Sequence, residues 1–232
     1  IDTGKRIARV GPGCWCVDLD TRLKRHGLFF PVAHAQDVGL GGFLLQGGFG
    51  WNSRQVGLGC ENVIGLDLVL ADGTLAHASE DENADLYWAA RGAGPGFFAA
   101  VVRYHLKLHP RPRFSGMITQ VFGMQHLEEV FTWADAVGAE VSRAVEFQLL
   151  LTPRAMGTFS PGIQVIAPVL ADNWRAARDA VAFIQRNPLR PKAAFTTPLV
   201  PLSTALMAQG ASWTLFPPRM RWCADNIWTN AP

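Results

Sequence analysis

Alternating apolar and polar residues predict strands in the first half of the chain. The alternation is clearest over 5–10 and 97–108, and the segment 63–79 predicts a β-hairpin. The hairpin should turn at Asp72-Gly73, because Asp-Gly between two apolar runs favours a tight turn. The apolar face of the strand 97–108 is expected to consist of Val102, Tyr104, Leu106 and Leu108.

Helical spacing of apolar residues predicts four helices, two in each half of the chain. The first helix should end before Gly27, because glycine favours the left-handed conformation that often follows a helix. Asp172 is the expected N-cap of the last helix. The four predicted helices cover 17–26, 82–90, 125–141 and 174–185.

The second half of the chain combines its two helices with three strands in the order β-α-β-β-α. The strands are predicted over 117–122, 145–151 and 162–170. This order indicates an α+β fold, with an antiparallel sheet covered by helices on one face. Past residue 187 the prolines predict that no long regular element forms, because each one interrupts backbone hydrogen bonding. These prolines are Pro188, Pro191, Pro198, Pro201, Pro217 and Pro218.

Composition narrows the class of protein. The chain has 232 residues, of which 49% are hydrophobic and 17% charged, with a net charge of +2, so a disordered chain is excluded. The isoelectric point near 8.5 is too mild to indicate a nucleic-acid partner. No apolar run approaches the length of roughly 18 residues that spans a membrane, so no membrane partner is predicted. The four cysteines form no framework of disulfides or metal ligands, and free thiols are expected.

Glycine and proline are distributed unequally along the chain. The chain has 23 glycines and 15 prolines; the glycines concentrate before residue 97 and most of the prolines lie after residue 109. The change predicts two domains, 1–112 and 113–232, with a boundary at His109-Pro110-Arg111-Pro112. The densest run, 38–50, requires a physical reason, because glycine costs backbone entropy. Backbone lying against a bulky anionic ligand and a tightly packed turn are both consistent with it.

Several familiar chemical motifs are excluded or weak. Gly92-Ala93-Gly94-Pro95-Gly96 follows a predicted helix rather than a strand, and its proline lacks an N–H, so it is not a dinucleotide fingerprint. His105 and His109 are spaced so that they could share a strand face, but two ligands alone make no metal site, and none is predicted. The tryptophans Trp51, Trp88 and Trp133 are expected to anchor the core.

Four segments resemble one protein family when they are taken in order. They are 39–51 (GLGGFLLQGGFGW), 53–62 (SRQVGLGCEN), 85–92 (DLYWAARG) and 96–102 (GFFAAVV). Together with the hairpin turn they resemble the flavin-linked oxidases of the vanillyl-alcohol oxidase and p-cresol methylhydroxylase (PCMH) superfamily, within it the berberine bridge enzyme-like branch. The resemblance covers about residues 4–110, and Trp222 to Thr229 is similar to a segment of that branch's substrate domain.

The resemblance implies FAD as the cofactor and an α+β fold. Residues 1–112 would form the second subdomain of the PCMH-type FAD-binding fold, and 113–232 part of a substrate domain with an antiparallel sheet. The glycine-rich run would lie along the flavin, and the strand start at 62–64 would pass near the adenine through backbone groups. The residues implied to contact the cofactor are Val38, Gly39, Gly41, Gly42, Gly47, Gly48, Gly50, Asn62, Val63 and Ile64.

The sequence also departs from the family. The position of a cysteine that links the flavin in some members is Ala35, whose methyl group cannot bond a flavin, and His34 is given no covalent role. Val38 is compatible with oxygen reaching the flavin, and equally with ordinary packing. The family's first subdomain is expected before Ile1, and its closing segment, which often supplies the catalytic base, after Pro232.

The implied function is oxidation of a small alcohol, sugar or related molecule by FAD, with O2 as electron acceptor. No catalytic residue is assigned, because Tyr87 and Tyr104, the two tyrosines, both lie on segments that look structural. A non-catalytic remnant or fragment that cannot hold FAD alone is the alternative. A third hypothesis, a sugar- or peptide-binding module that uses its tryptophans, predicts ligand binding without flavin.

Overall fold

The fold consists of short helices around antiparallel sheets. The structure is a computed structural model, and it describes residues 1–158 and 160–215, with side chains as far as residue 210. The strands are β1 (Ile7–Val10), β2 (Leu28–Phe29), β3 (Val63–Val69), β4 (Leu75–Ala78), β5 (Ala100–Lys107), β6 (His109–Pro110), β7 (Phe114–Gly123), β8 (Gln148–Thr152), β9 (Gly162–Ala171), β10 (Phe195–Thr196) and β11 (Val200–Pro201). The helices are α1 (Cys16–Lys24), α2 (Leu40–Leu45), α3 (Ser53–Val56), α4 (Ala84–Ala89), α5 (Leu127–Gly138), α6 (Trp174–Ala180), α7 (Ala182–Gln185) and α8 (Thr204–Leu215).

The first sheet has the strand order β1-β5-β3-β4. The predicted hairpin is confirmed as β3 and β4, and Gly73 in its turn has a φ of 84°, a conformation that favours glycine. Tyr104, Leu106 and Leu108 face the core as predicted, but Val102 is 43% exposed. The register between β3 and β5 shifts between Asp67 and Leu68, which turns Val101 toward the core instead.

The second sheet has the order β10-β7-β9-β8, with β11 also paired to β7. The predicted order β-α-β-β-α is confirmed by β7, α5, β8, β9 and α6. Every strand pair in the described residues is antiparallel, which confirms the α+β class. No helix within the described residues is long and apolar enough to cross a membrane.

Three local predictions need correction. The N-cap of α6 is Asn173, whose Oδ1 accepts a hydrogen bond from the Ala176 N–H at 2.9 Å, so the expected cap at Asp172 is wrong. The single predicted helix 174–185 is divided at Val181, whose φ of −94° and ψ of 5° leave the helical region. The expectation of no long element after residue 187 is also wrong, because α8 occupies a proline-free stretch.

Two of the three tryptophans follow the prediction. Trp51 is 4% exposed in the first core, and Trp133 packs against the second. Trp88 is 80% exposed, so its predicted role as a core anchor is wrong. Its neighbours Leu86 and Tyr87 face the core, and the helical repeat directs Trp88 to the other side of α4.

Three of the four cysteines lie within the described residues. Cys14, Cys16 and Cys60 are free thiols, and burial raises the pKa of Cys16 to about 11. Cys223, Pro217, Pro218 and the segment 222–229 lie outside the described residues.

Two hydrophobic cores accompany the two sheets. The first is built almost entirely from residues 8–108, and the second from residues 118–199. Between them, the guanidinium of Arg111 pairs with the buried carboxylate of Asp20, which also accepts a hydrogen bond from the Thr204 hydroxyl at 3.0 Å. Because breaking a buried ion pair is costly, this contact fixes the chain where it leaves the first core. The division into domains 1–112 and 113–232 stays a prediction that this arrangement supports.

Candidate functional site

An open groove of about 500 Å³ lies along the glycine-rich run. It brings together four of the residues predicted to contact a cofactor, Val38, Gly39, Gly42 and Gly48. Its other lining residues are Phe43, Gln46 and Phe49. Residues from both ends of the run therefore meet at one surface.

The groove forms because the run folds into a short helix and then reverses. Helix α2 starts after Gly39 and its last turn is followed by Gly47 and Gly48, whose φ angles are 99° and 74°. The Gly48 carbonyl oxygen accepts a hydrogen bond from the Gly59 N–H at 2.7 Å, which fixes the returning chain. Because a positive φ is strained for residues with a Cβ, glycine suits both positions of this reversal.

One wall of the groove is bare backbone. No heavy atom lies within 4 Å of the position that a Cβ would take at Gly39 or Gly42, and both residues line the groove. A side chain at either position would fill space that is now open to a ligand. A large group with exposed phosphates fits such a wall, because it can approach backbone N–H groups without steric hindrance.

Two other predicted glycines occupy a different environment. A Cβ on Gly41 would lie 2.8 Å from the Pro12 Cβ, and one on Gly50 would lie 2.3 Å from the Pro31 carbonyl oxygen. Their N–H groups already donate hydrogen bonds, from Gly41 to the Pro12 carbonyl and from Gly50 to the Ser53 hydroxyl. Gly41 and Gly50 therefore allow close packing behind the groove and do not line it.

The strand start at 62–64 also lies away from the groove lining. The Asn62 side chain is buried and donates to the carbonyl oxygens of Val56 and Leu58 at 2.9 and 2.8 Å. Its Oδ1 is 2.6 Å from Nε2 of His109. The Val63 carbonyl accepts a hydrogen bond from the Tyr87 hydroxyl. These contacts use the side chain of Asn62 and a backbone group of Val63 for internal structure, while Ile64 is 38% exposed.

An aromatic cluster that the sequence analysis did not predict forms the rim of the groove. Phe49 lines the groove and is 58% exposed. The His34 ring lies 5.4 Å from the Phe49 ring and 4.4 Å from the Trp51 ring, measured between centroids. His34 therefore packs between Phe49 at the rim and the buried Trp51.

The carboxylate of Glu146, which lies between α5 and β8 in the sequence, holds this cluster. Nε2 of His34 lies 2.5 Å from Oε2 of Glu146, and the Asn52 N–H donates to Oε1 of the same carboxylate. Glu146 is 2% exposed, so the carboxylate is almost fully removed from water. The partners are far apart in the sequence, and no local pattern around His34 or Glu146 indicates their contact.

A second connection runs beside this one. The Arg54 guanidinium donates three hydrogen bonds, at 2.8 to 3.0 Å. The acceptors are the carbonyl oxygens of Val141, Ser142 and Val145. Asn52, between the two connections, has a φ of 64°, and its Oδ1 is buried without a hydrogen-bond partner in the described part of the chain. The residues that follow the glycine-rich run are thus fastened to the segment 141–146.

Neither tyrosine fits the role of a catalytic base. Tyr104 is fully buried and donates to the Gly41 carbonyl oxygen, and burial raises its pKa well above the ordinary value. Tyr87 donates to the Val63 carbonyl. Both hydroxyls therefore serve internal packing, as the sequence predicts.

Comparison with known proteins gives a family match at the start of the chain and relatives that align over more than two thirds of it. Residues 1–79 match a family model described as FAD binding domain. The FAD-linked oxidoreductase ptmO of Penicillium ochrochloron is 40% identical over 166 residues, which cover 72% of this chain and 36% of that protein. The carbohydrate oxidase of Microdochium nivale is 31% identical over 182 residues, covering 74% of this chain and 34% of the relative.

The fold is likewise similar to that of an oxidase of known structure. The crystal structure of 6-hydroxy-D-nicotine oxidase from Arthrobacter nicotinovorans superposes with a TM-score of 0.75 at 27% identity. The match covers 91% of this chain and 46% of that one. The chain spans about a third of the length of the curated relatives it matches.

Proposed function

Because the chain belongs to the FAD-linked oxidoreductases of the vanillyl-alcohol oxidase and p-cresol methylhydroxylase superfamily, we propose that the protein acts as an oxidase. Its cofactor is FAD, as the family match indicates. The proposed substrate is a small alcohol, sugar or related molecule, and the proposed electron acceptor is O2. The observation that carries the proposal is the open groove with a backbone wall inside the segment that matches the FAD-binding family.

The groove supports a role in holding the cofactor. Gly39 and Gly42 leave their side of the groove free of side chains, and Gly48 allows the reversal that brings Phe49 to the rim. When bound, FAD would accept a hydride from the substrate carbon and pass the electrons to O2, giving hydrogen peroxide. The protein would orient the cofactor through these backbone groups, and Phe49 would provide an aromatic surface at the rim of the groove.

Val38 contributes the side chain nearest to the start of this wall. It lines the groove while also packing against the first core. Its small branched side chain would leave the groove open to a small molecule such as O2, in addition to its role in packing. The proton acceptor for the substrate is a group other than Tyr87 and Tyr104, since both hydroxyls are engaged internally.

The test compares FAD binding by two leucine variants of the full chain. Gly42→Leu adds a side chain in the groove, and Gly138→Leu is the matched control, because Gly138 is also helical with no atom within 4 Å of its Cβ position. We expect Gly42→Leu to weaken FAD binding by about tenfold or more, while Gly138→Leu leaves it unchanged. Flavin absorbance and fluorescence titration measure the affinity, and circular dichroism checks the fold.

Catalysis is then measured as hydrogen peroxide release from a panel of alcohols and sugars in aerated buffer. Peroxide formation that depends on bound flavin supports the oxidase. A folded full chain that stays colourless and rejects added FAD would contradict the proposal and favour the non-catalytic alternative. Equal FAD affinity in both leucine variants would contradict the assignment of the groove.

A further inference from the structure

Three metal-ligand side chains converge on the outer face of the first sheet. They come from three adjacent strands, Asp67 from β3, His77 from β4 and His105 from β5. Asp67 pairs directly with His77 across β3 and β4, and His105 pairs with Gly65 across β5 and β3. The alternation of strand side chains therefore places all three on the same face.

The three ligand atoms are close enough to one another to share a single ion. Nδ1 of His77 is 2.8 Å, and Nε2 of His105 is 3.1 Å, from the same oxygen, Oδ1 of Asp67. The three ligand atoms all lie within 4.8 Å of one another. A tetrahedral ion with bonds of about 2.0–2.2 Å holds its ligand atoms about 3.3 Å apart, so only small side-chain movements are needed.

The local backbone holds the cluster in place. A Cβ on Gly65 would come within 3.2 Å of Cε1 of His77, so glycine at this position leaves room for the imidazole ring. The Asn83 side-chain amide donates to the His77 carbonyl oxygen at 2.6 Å, which fixes β4 at the edge of the sheet. The two imidazole rings are nearly perpendicular, with centroids 5.3 Å apart.

The site is also accessible to an ion from solution. The side chains of His77, Asp67 and His105 are 39%, 20% and 17% exposed, so water can complete the coordination. Arg103 is the neighbouring cation, and its Nη1 lies 3.4 Å from Oδ2 of Asp67, the oxygen that the histidines do not contact. The Arg103 side chain is 57% exposed and can turn toward water when an ion binds at Oδ1.

We propose that Asp67, His77 and His105 form a binding site for Zn²⁺ that joins the strands β3, β4 and β5. Two imidazole nitrogens and one carboxylate oxygen are ligands that zinc prefers, with solvent in the fourth position. Since the ligands come from three strands that are adjacent only in the folded sheet, the ion stabilises the native state. This site differs from the pair His105 and His109 that the spacing suggested, because His109 is hydrogen-bonded to Asn62.

The alternative is a network of hydrogen bonds on the sheet surface with no affinity for metal. The two interpretations differ in whether zinc binds at all and, if it does, in the effect of Arg103. If an ion binds at Asp67, Arg103 competes with it electrostatically, and Arg103→Ala should bind zinc as tightly as the wild type or more tightly. If the cluster is a hydrogen-bond network alone, neither the wild type nor Arg103→Ala binds zinc.

The experiment titrates the chelator-treated full chain with ZnCl2 by calorimetry and follows its thermal midpoint. We expect one Zn²⁺ per chain and a midpoint that rises with ZnCl2 concentration. His77→Ala and the isosteric Asp67→Asn should each weaken binding by about tenfold or more. His26→Ala removes an exposed histidine outside the cluster and should leave zinc affinity unchanged.

Two results would overturn the site. One is the absence of stoichiometric binding to the folded wild-type chain, and the other is equal zinc affinity in Asp67→Asn and the wild type. Asp67→Asn keeps the shape of the side chain, so it gives an answer even if His77→Ala fails to fold. Circular dichroism establishes folding for each variant before the titration.

Discussion

Gly42 and Gly50 belong to the same glycine-rich run but meet opposite surroundings. A side chain at Gly42 would enter open space, whereas one at Gly50 would come within 2.3 Å of the Pro31 carbonyl oxygen. Gly41 behaves like Gly50, and Gly39 behaves like Gly42. The run is therefore consistent with both explanations that its composition allowed: some glycines leave a wall free of side chains, and others permit close packing behind it.

The largest predicted effect on stability is at Gly50. Gly50→Ala should lower the free energy of unfolding by about 3 kcal/mol, because its Cβ would clash with backbone atoms that cannot move independently. Gly39→Ala is the matched control, since its Cβ would meet no atom within 4 Å, and its stability should stay close to that of the wild type. Urea unfolding followed by circular dichroism measures both. A Gly50→Ala variant as stable as the wild type would contradict the packing role.

A second prediction concerns how the rim of the groove is held. Glu146→Ala removes the buried acceptor of the Asn52 N–H and the partner of His34, which should cost about 1–3 kcal/mol of stability. Because His34 supports Phe49, the same change should also weaken FAD binding. Glu146→Gln keeps an acceptor oxygen for Asn52 and should have the smaller effect on both measurements.

The matched control for Glu146 lies in the second core. Ile163→Val shortens a fully buried side chain and should lower stability by about 1 kcal/mol, with no effect on FAD binding. If Ile163→Val and Glu146→Ala weaken flavin binding equally, the effect follows general stability and the rim is not held specifically by Glu146.

Local patterns predicted the regular parts of the fold well. Asp72-Gly73 identified the hairpin, and local patterns identified α5 and the strands β7, β8 and β9, because each signal depends on neighbouring residues. The two-residue strands β10 and β11 were not predicted. The orientation of Val102 was wrong because it depends on a register shift against β3, a property of two strands together. Trp88 was wrong because residue type alone does not indicate which side of α4 faces the core.

The candidate site was likewise predicted only in part from the sequence. The run of glycines indicated where the groove forms, but its sequence does not distinguish Gly41 and Gly50 from Gly39 and Gly42, because that depends on Pro12 and Pro31. The contact between His34 and Glu146, and the approach of His105 to Asp67, arise only when distant segments fold together. Asp67 and His77, in contrast, face each other across the predicted hairpin.

The smallest predicted effect tests whether Asn62 belongs to the packed framework through its partner His109. Asn62 donates with its amide to two carbonyls, so its Oδ1 accepts the N–H on Nε2 of His109. Burial lowers the pKa of His109, and the nearby Lys107 and Arg6 lower it further. As pH falls through the ordinary histidine range near 6.5, the unfolded chain therefore takes up the proton before the folded chain does, and stability is lost. His109→Gln keeps a donor for Asn62 but cannot titrate, so its stability should fall less than that of the wild type between pH 7.5 and 5.5. Urea unfolding at several pH values measures the difference, and parallel curves for the two proteins would show that His109 is not held neutral by this framework.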